Sequence, residues 1–260
     1  MSQRPRVDAV IVSYNVRALL LECIASLVAA RKAGEVNRIV IVDNASSDGS
    51  AAAAQAADPR VEVVEAANRG YGAGANIGIG MTDAEYALVL NPDTVVPAGA
   101  VATLVAWLDA HPRHAVAGPR LRRPDGSVQP SRRRFPRPWT PIFESSVVEE
   151  WWPGNPVAAR YHLSDVPDDR EQDVDWVVGA AMLVRRAAIA QAGGFDESFR
   201  MYAEEVEWCW RFRCHGWRTG FVPAAEIVHH EGARAAQDLP RRLAEFDASR
   251  VQLIGRLYGA

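Results

Sequence analysis

Carboxylates, amides and hydroxyls recur in this chain where apolar runs stop. Ser13, Tyr14 and Asn15 end the run that starts at Val7, and Asp43 and Asn44 follow Arg38-Ile-Val-Ile-Val42. Asn68 follows the short run Val61 to Val64, and Asn91 and Asp93 flank Pro92 directly after Tyr86 to Leu90. A carboxylate fixed at the end of a buried strand, with proline stiffening the turn, is a rigid ligand for a hard cation. Such a cation offsets the charge of a diphosphate and the charge that grows when a bond to it is cleaved. Asp93 is therefore the first candidate for a metal ligand, although Asn-Pro-Asp alone is also an ordinary turn. Asp43 could accept the N3 proton of a uracil or thymine base; its structural alternative is a cap at a helix entrance.

Three further clusters bear on the same chemistry. Asn68-Arg-Gly70-Tyr-Gly-Ala-Gly-Ala-Asn76 offers backbone amides and small residues that let a nucleotide approach the main chain. Its GxGxG follows the third strand rather than the first, which argues against a nicotinamide cofactor. Glu204, Glu205 and Glu207 stand at or near a helix start, and crowded carboxylates raise one another's pKa, which favours a general base. The structural alternative for Glu207 is an i,i+4 pair with Arg211. His229-His230-Glu231 could present an imidazole to a metal or a diphosphate. The run Arg132 to Arg137, with Phe135 and Trp139, could bind an anionic acceptor or lie against lipid headgroups, or be a solvated loop.

The elements that must position these residues alternate. Strands are expected at Val7–Tyr14, Arg38–Asp43, Val61–Val64 and Tyr86–Leu90, with helices between them. Ser46-Ser-Asp48 supplies N-cap chemistry ahead of Ala51 to Ala57. Small helices are expected at Ala73–Met81 and Ala98–Ala110. From about Arg120 to Asp173 the pattern weakens into what reads as an elaborated or mobile region. Order resumes at Val174–Arg185, in a helix over Ala203–His215 and in a last helix over Leu239–Leu257. The expected fold class is α/β, a Rossmann-like, mostly parallel sheet with helices on both faces and ligands beyond the carboxyl ends of the strands. One domain is expected over 1–260, with a nucleotide-binding half at 1–119 and an acceptor and catalytic-base half at 120–260.

Composition narrows the function. A net charge of -3 argues against a nucleic-acid partner, which calls for a basic surface. The 3 cysteines form no CxxC pair, so a zinc knuckle or disulfide framework is not expected and a reducing cytoplasm fits. No signal peptide is expected at Met1–Arg6, and no apolar run is long enough to span a membrane.

Taken in order, Val12-Ser-Tyr-Asn15, Val42-Asp-Asn-Ala-Ser-Ser-Asp-Gly49, Asn68 to Gly78, Leu90-Asn-Pro-Asp-Thr94, Trp176 to Arg185, Gly193-Gly-Phe-Asp-Glu197 and Met201 to Arg211 resemble one family. They are similar to the inverting family 2 glycosyltransferases of the GT-A fold, particularly bacterial rhamnosyltransferases of cell-wall and O-antigen synthesis. The resemblance covers nearly the whole chain. It implies that Asp43 binds the base, Asp93 a divalent Mg²⁺ or Mn²⁺, and His229 the metal or the diphosphate region. It implies Glu205 as catalytic base, with Glu204 as the alternative. Ser13, Tyr14, Asn15, Asn44, Asn68, Gly70, Asn76 and Asn91 would complete the nucleotide-sugar site, and Trp176, Gly179 and Ala180 would contact the acceptor. Pro124-Asp-Gly-Ser-Val-Gln-Pro-Ser131 also resembles a segment of actinobacterial rhamnosyltransferases that extend N-acetylglucosaminyl-diphospho-polyprenol. The implied reaction moves L-rhamnose from dTDP-rhamnose to a hydroxyl of a glycan or a polyprenyl-diphosphate-linked acceptor, with peripheral contact at the inner face of the plasma membrane. Another donor, such as a UDP-hexose, and a non-catalytic nucleotide-sugar-binding protein are the alternatives. The family usually has Glu-Asp-Val-Asp where this chain has Glu204-Glu205-Val206-Glu207, so the base is one methylene longer and its reach is altered.

Overall fold

The computed structural model describes residues 6–230 and 239–259. The first half alternates as expected: β1 (Val7–Ser13), α1 (Arg17–Lys32), β2 (Ile39–Asp43), α2 (Ser50–Ala57), β3 (Val61–Glu65), α3 (Tyr71–Gly80), β4 (Tyr86–Leu90), β5 (Thr94–Val95) and α4 (Ala100–Ala110). There follow β6 (His114–Arg122), β7 (Val128–Gln129), β8 (Arg132–Arg133), α5 (Thr140–Phe143), α6 (Val147–Trp151), α7 (Pro156–His162), β9 (Gln172–Val174), β10 (Trp176–Val177) and β11 (Ala181–Arg185). The chain ends in α8 (Arg186–Ala192), α9 (Glu204–Cys214), β12 (Arg218–His229) and α10 (Leu239–Tyr258).

The main sheet runs β3-β2-β1-β4-β11-β6-β12-β5. Its first four strands are parallel; β11 then runs against both β4 and β6, and β12 lies parallel to β6. β1 is buried along its whole length because both faces are covered, which is why it reads as a continuous apolar run. Ala9 and Ile11 pack with Leu20, Ile24 and Leu27 of α1 and Leu104 of α4, while Val10 and Val12 pack on the opposite face with α3, α8, α9 and α10. The period of two along each strand thus builds two cores, one per face.

The structure corrects three expectations. The segment after Arg120 is not patternless: β6 begins at His114 and sits in the middle of the sheet, and six short elements follow before Asp175. Gly118 and Pro119 hide β6 in the sequence. Gly118 is there because a Cβ would meet the Val177 side chain at 2.6 Å. Secondly, Asp48 serves two helices rather than one. Its Oδ1 accepts from the backbone N–H of Ser50 at 3.0 Å, and its Oδ2 accepts from that of Arg17 at 2.9 Å, joining the entrance of α2 to that of α1. Thirdly, most of the glycine-rich run is helix. Gly74 and Gly78 let α3 ride directly on β1, since a Cβ on Gly74 would stand 2.8 Å from Val12 Cγ1 and one on Gly78 would collide with Val10. Gly74 and Gly78 thus serve packing of α3 on β1.

Candidate active site

The chain leaves β1 for β2 and β3 on one side and returns past β1 to β4 on the other. A crevice therefore opens at the carboxyl ends of β1 and β4, where ligands of open α/β sheets bind. The register sets Ser13 beside Asp43 and Ile11 beside Leu90. Asp43 is buried, and its Oδ2 accepts from the Ser46 N–H at 2.8 Å. Its Oδ1 is buried with no hydrogen-bond partner, as is Ser13 Oγ. An acceptor left open at a strand end is a cost the fold carries unless a ligand donates to it. Asn44 N–H donates to the Ser13 carbonyl at 2.8 Å, and its side-chain amide donates to the Gly70 carbonyl at 3.1 Å. Asn15 adopts the left-handed region (φ 51°) and its Oδ1 accepts from the Ser47 N–H at 2.7 Å, which ties the loop after β1 to the loop after β2. Tyr14, between them, is exposed.

Asp93 follows β4 and precedes β5, and the antiparallel pairing of β5 with β12 sets His229 opposite Thr94. This brings together residues 136 positions apart: His229 Nε2 lies 3.4 Å from Asp93 Oδ1, with both side chains 8% exposed. The other ring nitrogen, Nδ1, is 2.8 Å from Gln129 Oε1, to which it can donate, and this contact turns Nε2 toward Asp93. Asp93 Oδ1 has no hydrogen bond. A carboxylate oxygen with no hydrogen-bond donor and an imidazole nitrogen side by side in a buried place are ligand types that would fit a cation between them. Among the described residues no group of three or more His, Cys, Asp or Glu side chains could hold a metal, so a diphosphate and water would fill the other coordination positions. Gln129 lies within the Pro124–Ser131 segment, and sequence reasoning did not single it out: a lone glutamine on a two-residue strand carries no signal. Asn91 is fixed through its backbone, its N–H donating to the Ala180 carbonyl at 2.9 Å and its carbonyl accepting from Thr94 Oγ1 at 2.8 Å. His230 N–H donates to the Asp93 carbonyl at 2.9 Å, and Glu231 lies outside the described residues.

The loop before α3 closes one wall. Asn68 Oδ1 accepts from the Gly70 N–H at 3.3 Å, and Gly70 (φ 112°) presses against the carbonyl of Arg200, which accepts from the Tyr71 N–H at 3.1 Å. Gly70 thus joins the first half of the chain to the loop that precedes α9. Asn76 faces elsewhere: its amide holds both backbone groups of Phe195 at 2.7 and 2.9 Å. It positions the Gly193–Glu197 turn.

Three glutamates open α9, and their environments separate them. Glu207 is paired with Arg211 at 2.7 Å, and Arg211 also donates to the carbonyls of Ala192 and Gly194, so this acid is structural. Glu204 is buried with Oε2 unpartnered; desolvation first, and then the charge of Glu205, push its pKa well above the ordinary range. Burial also raises Glu205, against the backbone N–H groups of Glu205, Gly179 and Val206 and the positive charge of Arg133. Of the two, Glu204 is the one that keeps its proton and Glu205 the one that ionises. Gly179 makes room for Glu205: a Cβ there would stand 3.4 Å from Glu205 Cβ. The Trp176 indole N–H donates to the Arg134 carbonyl at 2.9 Å inside the core, and Ala180 is buried. Arg133, which helps hold Glu205 ionised, is a second residue that spacing did not reveal.

Asp43 ends β2, Asp93 follows β4, His229 ends β12, and Glu205 opens α9 beside Gly179, just ahead of β11. Residues 8–163 match the model of Glycosyl transferase family 2. The chain belongs to this family. Residues 86–244 also match Glycosyl transferase family group 2. This family 2 glycosyltransferase is 34% identical over 218 residues to the N-acetylglucosaminyl-diphospho-decaprenol L-rhamnosyltransferase of Mycobacterium tuberculosis, covering 79% of this chain and 70% of that protein. It is 26% identical over 173 residues to rhamnosyltransferase WbbL of Escherichia coli, covering 62% and 61% of the two. Its fold is that of a mannosyltransferase from Pyrobaculum calidifontis solved with GDP-Man and Mn²⁺, at TM-score 0.61 and 19% identity over 96% of this chain and 65% of that one.

Proposed function

We propose that this family 2 glycosyltransferase transfers L-rhamnose from dTDP-rhamnose, with inversion, to a sugar hydroxyl of a polyprenyl-diphosphate-linked acceptor. The observation that carries the reading is the buried pair Asp93 Oδ1 and His229 Nε2, 3.4 Å apart. Asp43 Oδ1 accepts the N3–H of thymine, which satisfies its missing hydrogen bond. Asp93 and His229 hold Mg²⁺ or Mn²⁺, which when bound neutralises the diphosphate as its bond to the sugar breaks. Gln129 keeps His229 Nε2 directed at that position. Glu205 removes the proton of the acceptor hydroxyl as its oxygen bonds to the anomeric carbon; the bond to the donor's diphosphate oxygen breaks, dTDP leaves, and the configuration inverts. Burial raises Glu205 toward the range where a carboxylate is an effective base, and Gly179 and Arg133 preserve its ionised form. Asn44, Gly70 and Asn15 position the donor loops, and Gly179 and Ala180 border the acceptor side.

The rhamnosyltransferase names of the relatives at 34% and 26% identity support the donor and acceptor. Incubation with dTDP-rhamnose, UDP-glucose or UDP-galactose, lipid-linked N-acetylglucosamine and Mn²⁺, followed by NMR of the product, tests the reading. Rhamnose transfer with inverted configuration is expected; transfer from the UDP-sugars alone, or retention, would refute it. No described helix is long and apolar enough to cross a membrane. A lipid-linked acceptor would bring the enzyme to the inner membrane face as a peripheral protein.

A further inference from the structure

A second cavity, of about 550 Å³, lies beyond the glutamates. Arg134, Arg137, Arg160 and Arg213 line it, and Asp175 is the one acid among its described lining residues, already bound to Arg213 at 2.6 Å. Four positive charges against one negative leave a net charge of about +3 facing the cavity. Arg134 Nε is buried and has no hydrogen-bond partner, and no carboxylate pairs with Arg134, Arg137 or Arg160 among the described residues. Guanidinium groups left in this state match phosphate oxygens, which they bind in a fork. Most of the remaining lining is aromatic: Phe135 and Trp210 meet edge to face at 5.0 Å, and Trp139 stands under Arg137. A site that is both cationic and aromatic suits a phosphate with an apolar chain attached rather than a free nucleotide.

The cavity is joined to the base. Arg133 pairs with Trp176 across β8 and β10, the Arg134 N–H donates to the Tyr161 carbonyl at 3.0 Å, and Tyr161 lines the cavity while its hydroxyl lies in the field of Glu205. The chain that leaves the cavity wall at Trp139 and Thr140 carries exposed apolar side chains. Trp139, Ile142, Val147 and Trp151 of the α5–α6 region are exposed, Trp151 to 86%. Exposed tryptophan and aliphatic side chains next to arginines are the composition of a surface that lies at a membrane interface.

We infer that this cavity seats the diphosphate and first isoprene units of the lipid-linked acceptor, with the α5–α6 rim passing its tail to the membrane. The inference rests on the proposed acceptor class and gives it a location distinct from the Asp93–His229 position. It explains why the basic run reads as a solvated loop in sequence: the four arginines are gathered from the segment after β8, from α7 and from α9, and no two of them are adjacent in the chain.

Farnesyl diphosphate, added to the full-length protein in the presence of a chelator, tests this through quenching of Trp139 and Trp210 fluorescence. Saturable binding is expected, at least about tenfold tighter than inorganic diphosphate, farnesol or phosphatidylglycerol vesicles. Arg160→Gln, at an exposed position, and Arg134→Gln are each expected to weaken it about tenfold. Mn²⁺-dependent dTDP binding is the control for folding. Trp139→Ala provides a variant that leaves every arginine in place and is expected to lose affinity for farnesyl diphosphate but not for inorganic diphosphate. Unchanged affinity in Arg160→Gln and Trp139→Ala, loss of binding in Asp93→Asn, or equal binding of phosphatidylglycerol would each overturn the inference. Since no donor or turnover is involved, transfer to a soluble N-acetylglucosamine acceptor without farnesyl diphosphate binding would sink this inference alone. Binding without rhamnose transfer would sink only the proposed reaction.

Discussion

At the scale of single residues, two adjacent glutamates have different duties because their surroundings differ. Glu205 keeps partial exposure, three backbone N–H groups and the charge of Arg133; Glu204 has an unpartnered oxygen and a charged neighbour. Glu205→Gln is expected to lower kcat by about 10²- to 10⁴-fold while dTDP binding is unchanged. Since the base must be ionised, wild-type kcat rises with pH through a value above that of an ordinary glutamate, and it falls on the acid side. Glu204→Gln is expected to leave this limb in place, because Glu204 is already neutral when Glu205 titrates. Its effect is on stability. The folded-state pKa of Glu204 is raised, so its favourable contribution is fully present below about 4.3 and is lost as pH climbs through the raised value. Melting temperatures measured across pH should therefore fall less steeply in Glu204→Gln than in wild type; parallel curves would contradict the assignment. Asp93 and the acids of α9 are legible in the sequence through their company: each has an ordinary structural reading alone, as a turn or a helix-start acid, and the ordered set of neighbouring runs singles them out. Gln129 and Arg133 are not legible, because their roles come from contacts across 100 residues, to His229, and from the field at Glu205.

At the scale of elements, α3 shows a glycine pattern with a packing purpose that the sequence alone does not reveal. Its glycines lie where β1 and Asn44 come close: a Cβ on Gly74 would be 2.8 Å from Val12 Cγ1 and 3.0 Å from Asn44 Oδ1. Gly74→Ala is expected to cost about 1–3 kcal/mol, since a methyl group must be forced into a close-packed interface. Urea unfolding of the variant measures this, and a midpoint equal to wild type would show that the contact relaxes without cost. The parallel strands β1, β2 and β4 are legible from apolar runs ending in polar residues. β6 is not, because a central strand carrying glycine and proline violates local propensity and is held by its neighbours β11 and β12.

At the scale of the whole molecule, the site exists only because the two ends of the sequence meet. Asp93 comes from the parallel half, and His229 arrives at the end of the 12-residue β12, which crosses the far side of the sheet and pairs with β5. Gly70 against Arg200 and Asn76 against Phe195 are further seams between the halves. The order of strand ends allows the donor-side residues to be listed from sequence, but the convergence of His229 on Asp93 depends on strand pairing that no local pattern contains. In the proposed reading, a cation held by Asp93 and His229 would join these parts into one catalytic device. The most direct test is the rate of acceptor-dependent dTDP release from dTDP-rhamnose after chelation, followed by titration with Mn²⁺, in wild type and Asp93→Asn. Wild type should be inactive when chelated and recover with added Mn²⁺, and Asp93→Asn should stay at least about 10²-fold slower at saturating Mn²⁺. Release at the full rate in chelator, or an Asp93→Asn enzyme that matches wild type, would contradict the role of Asp93 and His229.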